Sequence, residues 1–168
     1  ASTYLTRRRT ANGVEWVKVD AASGGTSPLF DAGPMEAALA SLPGVTRDEA
    51  SEIARSSDLT FNPARTGALV TIADDLYFYS FSSAKAERLT NEAGEEEVPT
   101  FSPDGRLVAF VRGNNLRVVD IASHREQALT TDGTRQLLNG KLDWLYQEEV
   151  YGRGQFKGYW WSPDSTMI

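Results

Sequence analysis

Apolar residues in this chain come in short runs broken by turn-forming residues, most clearly in PTFSPDGRLVAFVRGNNLRVVDIASHREQALT at positions 99–130. Pro103-Asp104-Gly105 predicts a turn, because proline fixes φ and glycine can take a positive φ, and it leads into the apolar run from Leu107 to Val111. Gly113-Asn114-Asn115 turns the chain again into Leu116 to Ile121, and Ala122 to Arg125 connects to Gln127 to Thr130. Short strands about 8–12 residues apart with turn signals between them predict antiparallel sheet.

The pattern repeats. Phe61-Asn62-Pro63, Phe101-Ser102-Pro103 and Trp161-Ser162-Pro163 share an aromatic, a polar residue and a proline, separated by 40 and then 60 residues. A second signature runs WVKVDAASGGTSPLF at 16–30, LYFYSFSSAKAERLT at 76–90 and LRVVDIASHREQALT at 116–130, with spacings of 60 and then 40. The unit is therefore about 40 residues with two insertions of about 20, a period that fits one four-stranded propeller blade. A β-sandwich would account for the strands but not for the repeated signature at a fixed offset. The expected fold is all-β: a partial β-propeller of about three blades of four-stranded antiparallel sheet, with a short helical insertion.

The helical insertion, at about 34–57, differs in kind from the rest. MEAALASL and TRDEASEIARS carry apolar residues at helical spacing, with Pro43-Gly44 between them, and Thr46 predicts an N-cap with Glu49 three residues on. The second insertion, at about 131–157, contains DWLYQEEVY at 143–151. Insertions in repeat proteins map to loops on one face, often the binding face.

Glu148 and Glu149 stand side by side there among Trp144, Tyr146 and Tyr151. A substrate's amino group offers three N–H donors and a positive charge, which two ionised carboxylates in an aromatic frame can accept. Adjacent residues of a strand point to opposite faces, so both acids reach one guest only if the backbone is helical or tightly turned over 144–150. Trp144 or Tyr146 is expected to pack beneath them. Gly152 and Gly154 flank Arg153 and predict a sharp turn back into the next blade. Arg153, four residues after Glu149, either pairs with that carboxylate on a continuing helix or stands exposed. Of the adjacent Trp160 and Trp161, the second holds the repeat's aromatic position and is expected to pack in the core.

Charge and composition narrow the chemistry. The formal net charge of −6 argues against nucleic acid as a partner. Without cysteine there are no disulfides or thiolate metal sites, and no metal or cofactor is expected. No apolar run has membrane-spanning length. Glu95-Glu96-Glu97 before Pro99 is expected to be an exposed loop or edge guard. Arg7-Arg8-Arg9 should alternate between solvent and local acidic partners. The one histidine, His124, lies in a connection between strands, and Ser162 and Ser165 belong to a turn, so no residue here is placed to serve as an activated nucleophile.

The run DWLYQEEVYGRG at 143–154, with GYWWSPDS at 158–165, resembles the amino-terminal β-propeller of the dipeptidyl-peptidase IV family of serine exopeptidases, in its bacterial form. Through the repeat the resemblance covers nearly all of residues 1–168, and it is most specific at 143–164. It implies that Glu148 and Glu149 hold the substrate's amino terminus, which limits the enzyme to releasing dipeptides. It also implies a propeller arginine near the substrate carbonyl, and no arginine around the strand preceding Asp75 aligns with it. The family's catalytic serine, aspartate and histidine belong to an α/β-hydrolase domain with a Gly-x-Ser-x-Gly elbow, absent from this sequence.

The expectation is thus a fragment of the amino-terminal propeller, inactive alone. Its partners would be a peptide with a free amino terminus, the missing hydrolase domain and, by the family's habit, a second copy in a homodimer. The family favours a periplasmic or secreted setting. A non-enzymatic propeller used for protein interaction and an inactive relative of the peptidases stay open as alternatives.

Overall fold

The structure, a computed structural model, describes residues 2–168. Among them eleven strands form three antiparallel sheets, each a meander in chain order. The first joins β1 (Thr3–Thr10), β2 (Gly13–Asp20) and β3 (Thr26–Pro28). The second joins β4 (Thr60–Phe61), β5 (Gly67–Ile72), β6 (Asp75–Ser80) and β7 (Lys85–Arg88). The third joins β8 (Glu97–Phe101), β9 (Leu107–Arg112), β10 (Asn115–Asp120) and β11 (Glu126–Ala128). This is a partial β-propeller in which two sheets have four strands and the first has three.

The repeated signatures are repeated turns. Ser102 Oγ accepts from the Leu107 amide at 2.9 Å, and Ser162 Oγ accepts from the Met167 amide at the same distance. Asn62 Oδ1 does likewise with the Gly67 amide at 3.1 Å. In all three the polar residue's own amide donates back to the carbonyl five residues on. The second signature has its own lock: Asp20 Oδ1 accepts from the Ala22 and Ser23 amides, and Asp120 Oδ1 accepts from the Ala122 and Ser123 amides. The Ser23 and Ser123 amides accordingly hold these two carboxyls below their ordinary range. His124 follows in the second of these turns, exposed and with a φ of 56°.

The chain divides into two compact units. One runs to Val70 and includes Phe78–Glu87; the other takes in Thr71–Tyr77 and continues from Arg88. In the first, helices α1 (Ala32–Ala40) and α2 (Arg47–Ala54) pair through Met35 and Leu39 on one and Ala50 and Ala54 on the other, all buried at i, i+4 spacing. Asp31 caps α1, and Thr46 Oγ1 caps α2 by accepting from the Glu49 amide at 3.2 Å. Phe30 stacks on Phe81 at 4.7 Å, and Phe61 meets Trp16 edge to face at 4.9 Å. Arg8 pairs with Glu15, while Arg7 lies over the Trp16 ring.

In the second unit β9 is buried along almost its whole length, and Ala109, Val111, Leu116 and Tyr159 form a core against which Val98 and Trp161 pack. Trp161 thus takes the core side, as expected, and Trp160 is exposed. The acidic run behaves otherwise than expected. Glu96 is buried, because pairing of β8 with β9 brings it beside Arg112 at the end of β9. Arg112 Nε donates to Glu96 at 2.9 Å, and its terminal nitrogens reach Glu92 and Glu126. Burial pushes the Glu96 carboxyl up against the opposing pull of Arg112. Burial works equally against the Arg112 charge, yet Glu126 and Glu96 outweigh it and raise its pKa.

Candidate functional site

Beyond the third sheet, residues 141–157 form an arm closed at its base. Lys141 and Lys157 form an antiparallel bridge, the Leu142 amide donates to the Phe156 carbonyl at 2.7 Å, and the Gly158 amide donates to the Gly140 carbonyl at 2.9 Å. The approach at Gly158 is close: a Cβ there would stand 3.1 Å from the Lys141 backbone, so a larger residue needs that backbone to give by a few tenths of an ångström. Lys141 Nζ also donates to both oxygens of Glu97 on β8, at 2.7 and 2.8 Å.

Within the arm the chain is helical from Trp144 to Val150, as the acidic pair requires, and Tyr146–Val150 form a π-helix. The Tyr151 amide donates to the Tyr146 carbonyl at 2.9 Å, the i+5 bond of that geometry. Isolated π-turns are rare and frequently lie at functional sites. Asp143 starts the segment: its Oδ1 accepts from the Tyr146 amide at 3.0 Å, and its carbonyl accepts from the Gln147 amide at 3.0 Å. Gln147 is buried at 7% exposure. The next two residues, Glu148 and Glu149, are exposed, and among the described residues neither is engaged in an ion pair.

The expected supports are arranged differently. Trp144 and Tyr146 are 69% and 50% exposed, so neither packs beneath the carboxylates; on this helix the residue turned inward is Gln147. Arg153 makes no ion pair with Glu149 among the described residues. The helix stops before it, at Gly152, whose φ of 89° is left-handed and destroys the i, i+4 relation. Gly154 has the same φ, and the two glycines make the sharp return expected of them.

Tyr159, Asp143, Lys141 and Glu97 were not anticipated. Tyr159 shares its single O–H between the Val98 and Ala109 carbonyls, at 2.5 and 2.9 Å, and is 4% exposed. Its position two residues before the repeat aromatic, where strand alternation returns to the same side, was a usable signal. An Asp opening a helical stretch was another. The Lys141–Glu97 pair spans 44 residues and leaves no local trace.

Comparison with known proteins places the chain in a family. Residues 70–168 match the family model described as the dipeptidyl peptidase IV N-terminal region. The probable dipeptidyl peptidase 4 of Aspergillus clavatus is 39% identical over 93 residues, 55% of this chain and 12% of that protein. Dipeptidyl aminopeptidase B of Saccharomyces cerevisiae is 36% identical over 93 residues, 55% of this chain and 11% of that protein. The crystal structure of Porphyromonas gingivalis dipeptidyl peptidase 4 superposes with a TM-score of 0.68 at 26% identity, covering 98% of this chain and 22% of that one. The chain spans only about an eighth of the curated relatives it matches.

Proposed function

The chain belongs to the family of the dipeptidyl peptidase IV N-terminal region, and from that premise we propose that it is the substrate-selecting propeller of a serine exopeptidase releasing amino-terminal dipeptides. Glu148 and Glu149 receive the substrate's ammonium group. The observation that carries this is two consecutive carboxylates, free of cationic partners among the described residues, on an exposed π-turn whose inward side chain is Gln147. An ammonium docked between them gains charge-assisted hydrogen bonds that an amino-terminally blocked peptide lacks. Trp144, Tyr146 and Tyr151, exposed on the same arm, offer apolar surface to the flanking side chains.

The nucleophile comes from an α/β-hydrolase domain of the same polypeptide, as the relatives' names and greater length support. Assembly as a homodimer and a periplasmic or secreted setting belong to the same reading.

The test is kinetic. In the full-length polypeptide, Glu148→Gln and Glu149→Gln should each cost about 2–5 kcal/mol of transition-state binding, a loss of about 30-fold to several thousand-fold in kcat/KM. Blocking the substrate's amino terminus should penalise wild type severely and the variants little. The 168-residue chain alone should not turn the substrate over. Wild-type kcat/KM in both variants would remove the acidic pair from this role.

A further inference from the structure

Where β8 faces β9 the register slips between Glu97 and Thr100, and the bulged residue is Val98 at a φ of 48°. A β-branched side chain rarely adopts that conformation, and it persists only where the surroundings over-determine it. Here they do. Glu97 holds Lys141, where the arm begins, and the carbonyl of Val98 accepts from Tyr159, two residues past where it ends. Two consecutive residues of one bulge therefore grip both ends of the arm. The Lys141–Glu97 contact is bidentate, with the two side chains only 20% and 32% exposed. From Lys141 the chain passes through one residue to Asp143, which caps the turn carrying the glutamates.

We infer that Lys141 and Glu97 are positioning residues for the glutamate pair: the latch fixes the base of the arm on β8, and through Asp143 and the π-turn it fixes where Glu148 and Glu149 stand. The inference rests on the amino-terminus reading above. Bulges re-aim chains beside active sites, and this one re-aims the segment that bears the acids.

In the full-length enzyme, Lys141→Met and Glu97→Gln should each raise KM for a dipeptide substrate with a free amino terminus about fivefold, with kcat changed less than about twofold. The charge swap, Lys141→Glu with Glu97→Lys, should recover most of that loss. A role confined to general stability would lower the melting temperature of the single variants while leaving KM unchanged. Amide exchange over 144–151, followed by mass spectrometry, should quicken in each single variant and slow again in the swap. If Lys141→Met does not fold, Lys141→Glu alone against the swap carries the same comparison. A swap as impaired as its single variants, or unchanged KM and exchange in the singles, would overturn the latch. If exchange responds as expected but Glu148→Gln and Glu149→Gln behave as wild type, the amino-terminus reading fails and the latch stands.

Discussion

The hydroxyl of Tyr159 accepts a hydrogen bond from Thr100 Oγ1 at 3.0 Å, linking the residue just past the arm to the strand on which the arm is seated. Thr100 Oγ1 in turn accepts from Trp161 Nε1 at 3.2 Å, so three groups relay in one direction and end on the carbonyls of Val98 and Ala109.

Tyr159→Phe keeps the ring and removes the relay's centre. The Val98 and Ala109 carbonyls and the Thr100 hydroxyl then lose this bond, at a cost of about 1–3 kcal/mol. Urea unfolding should show this as a lower midpoint at unchanged slope. Burial also pushes the Tyr159 hydroxyl up to about 12. The unfolded phenol ionises near pH 10, so this residue's contribution is intact below about pH 10 and declines as pH rises through about 12. The wild type should lose stability over that window more steeply than Tyr159→Phe.

Among the described residues Arg112 is the cation paired with the buried Glu96, one of whose oxygens, Oε2, already lacks a partner there. Arg112→Leu leaves a carboxylate uncompensated in the core and should destabilise by about 3–5 kcal/mol. The double variant Arg112→Leu with Glu96→Leu removes both charges and should regain most of that loss. Thermal unfolding of the two, side by side, decides the point; equal losses would show that packing rather than charge matters there.

Asp143→Ala deletes the cap and should cost the arm about 1 kcal/mol. The Tyr146 amide should then exchange several-fold faster. Asp143→Asn and Asp143→Ser keep an acceptor oxygen and should restore most of the protection. A common response of all three variants would mean that the acceptor does not hold the turn.

What was legible in the sequence was local. The Asn62, Ser102 and Ser162 turns, the Thr46 cap over Glu49 and the helical bend at 144–150 all close within five residues, so their chemistry is written in adjacent letters. Glu96 misled because a run of three acids before a proline looks solvated, and its partner is 16 residues away across a strand pairing. Trp144 and Tyr146, aromatic and therefore expected inward, are exposed, and the buried side chain of the turn is Gln147. Arg153 takes the exposed one of its two readings, because the neighbouring Gly152 stops the helix that pairing needs.

The turn at Ser162 has one more implication. None of residues 161–168 lies in a strand, yet Ser162 makes the same two bonds to Met167 that Ser102 makes to Leu107 within a complete sheet. Both bonds close within five residues of the chain. Contacts of such short separation form within about microseconds, far sooner than pairings that span a whole sheet. Each turn can serve as a nucleus that fixes register as the chain emerges, leaving the long-range work of folding to the arm's base, where Lys141 must find Glu97 across more than forty residues.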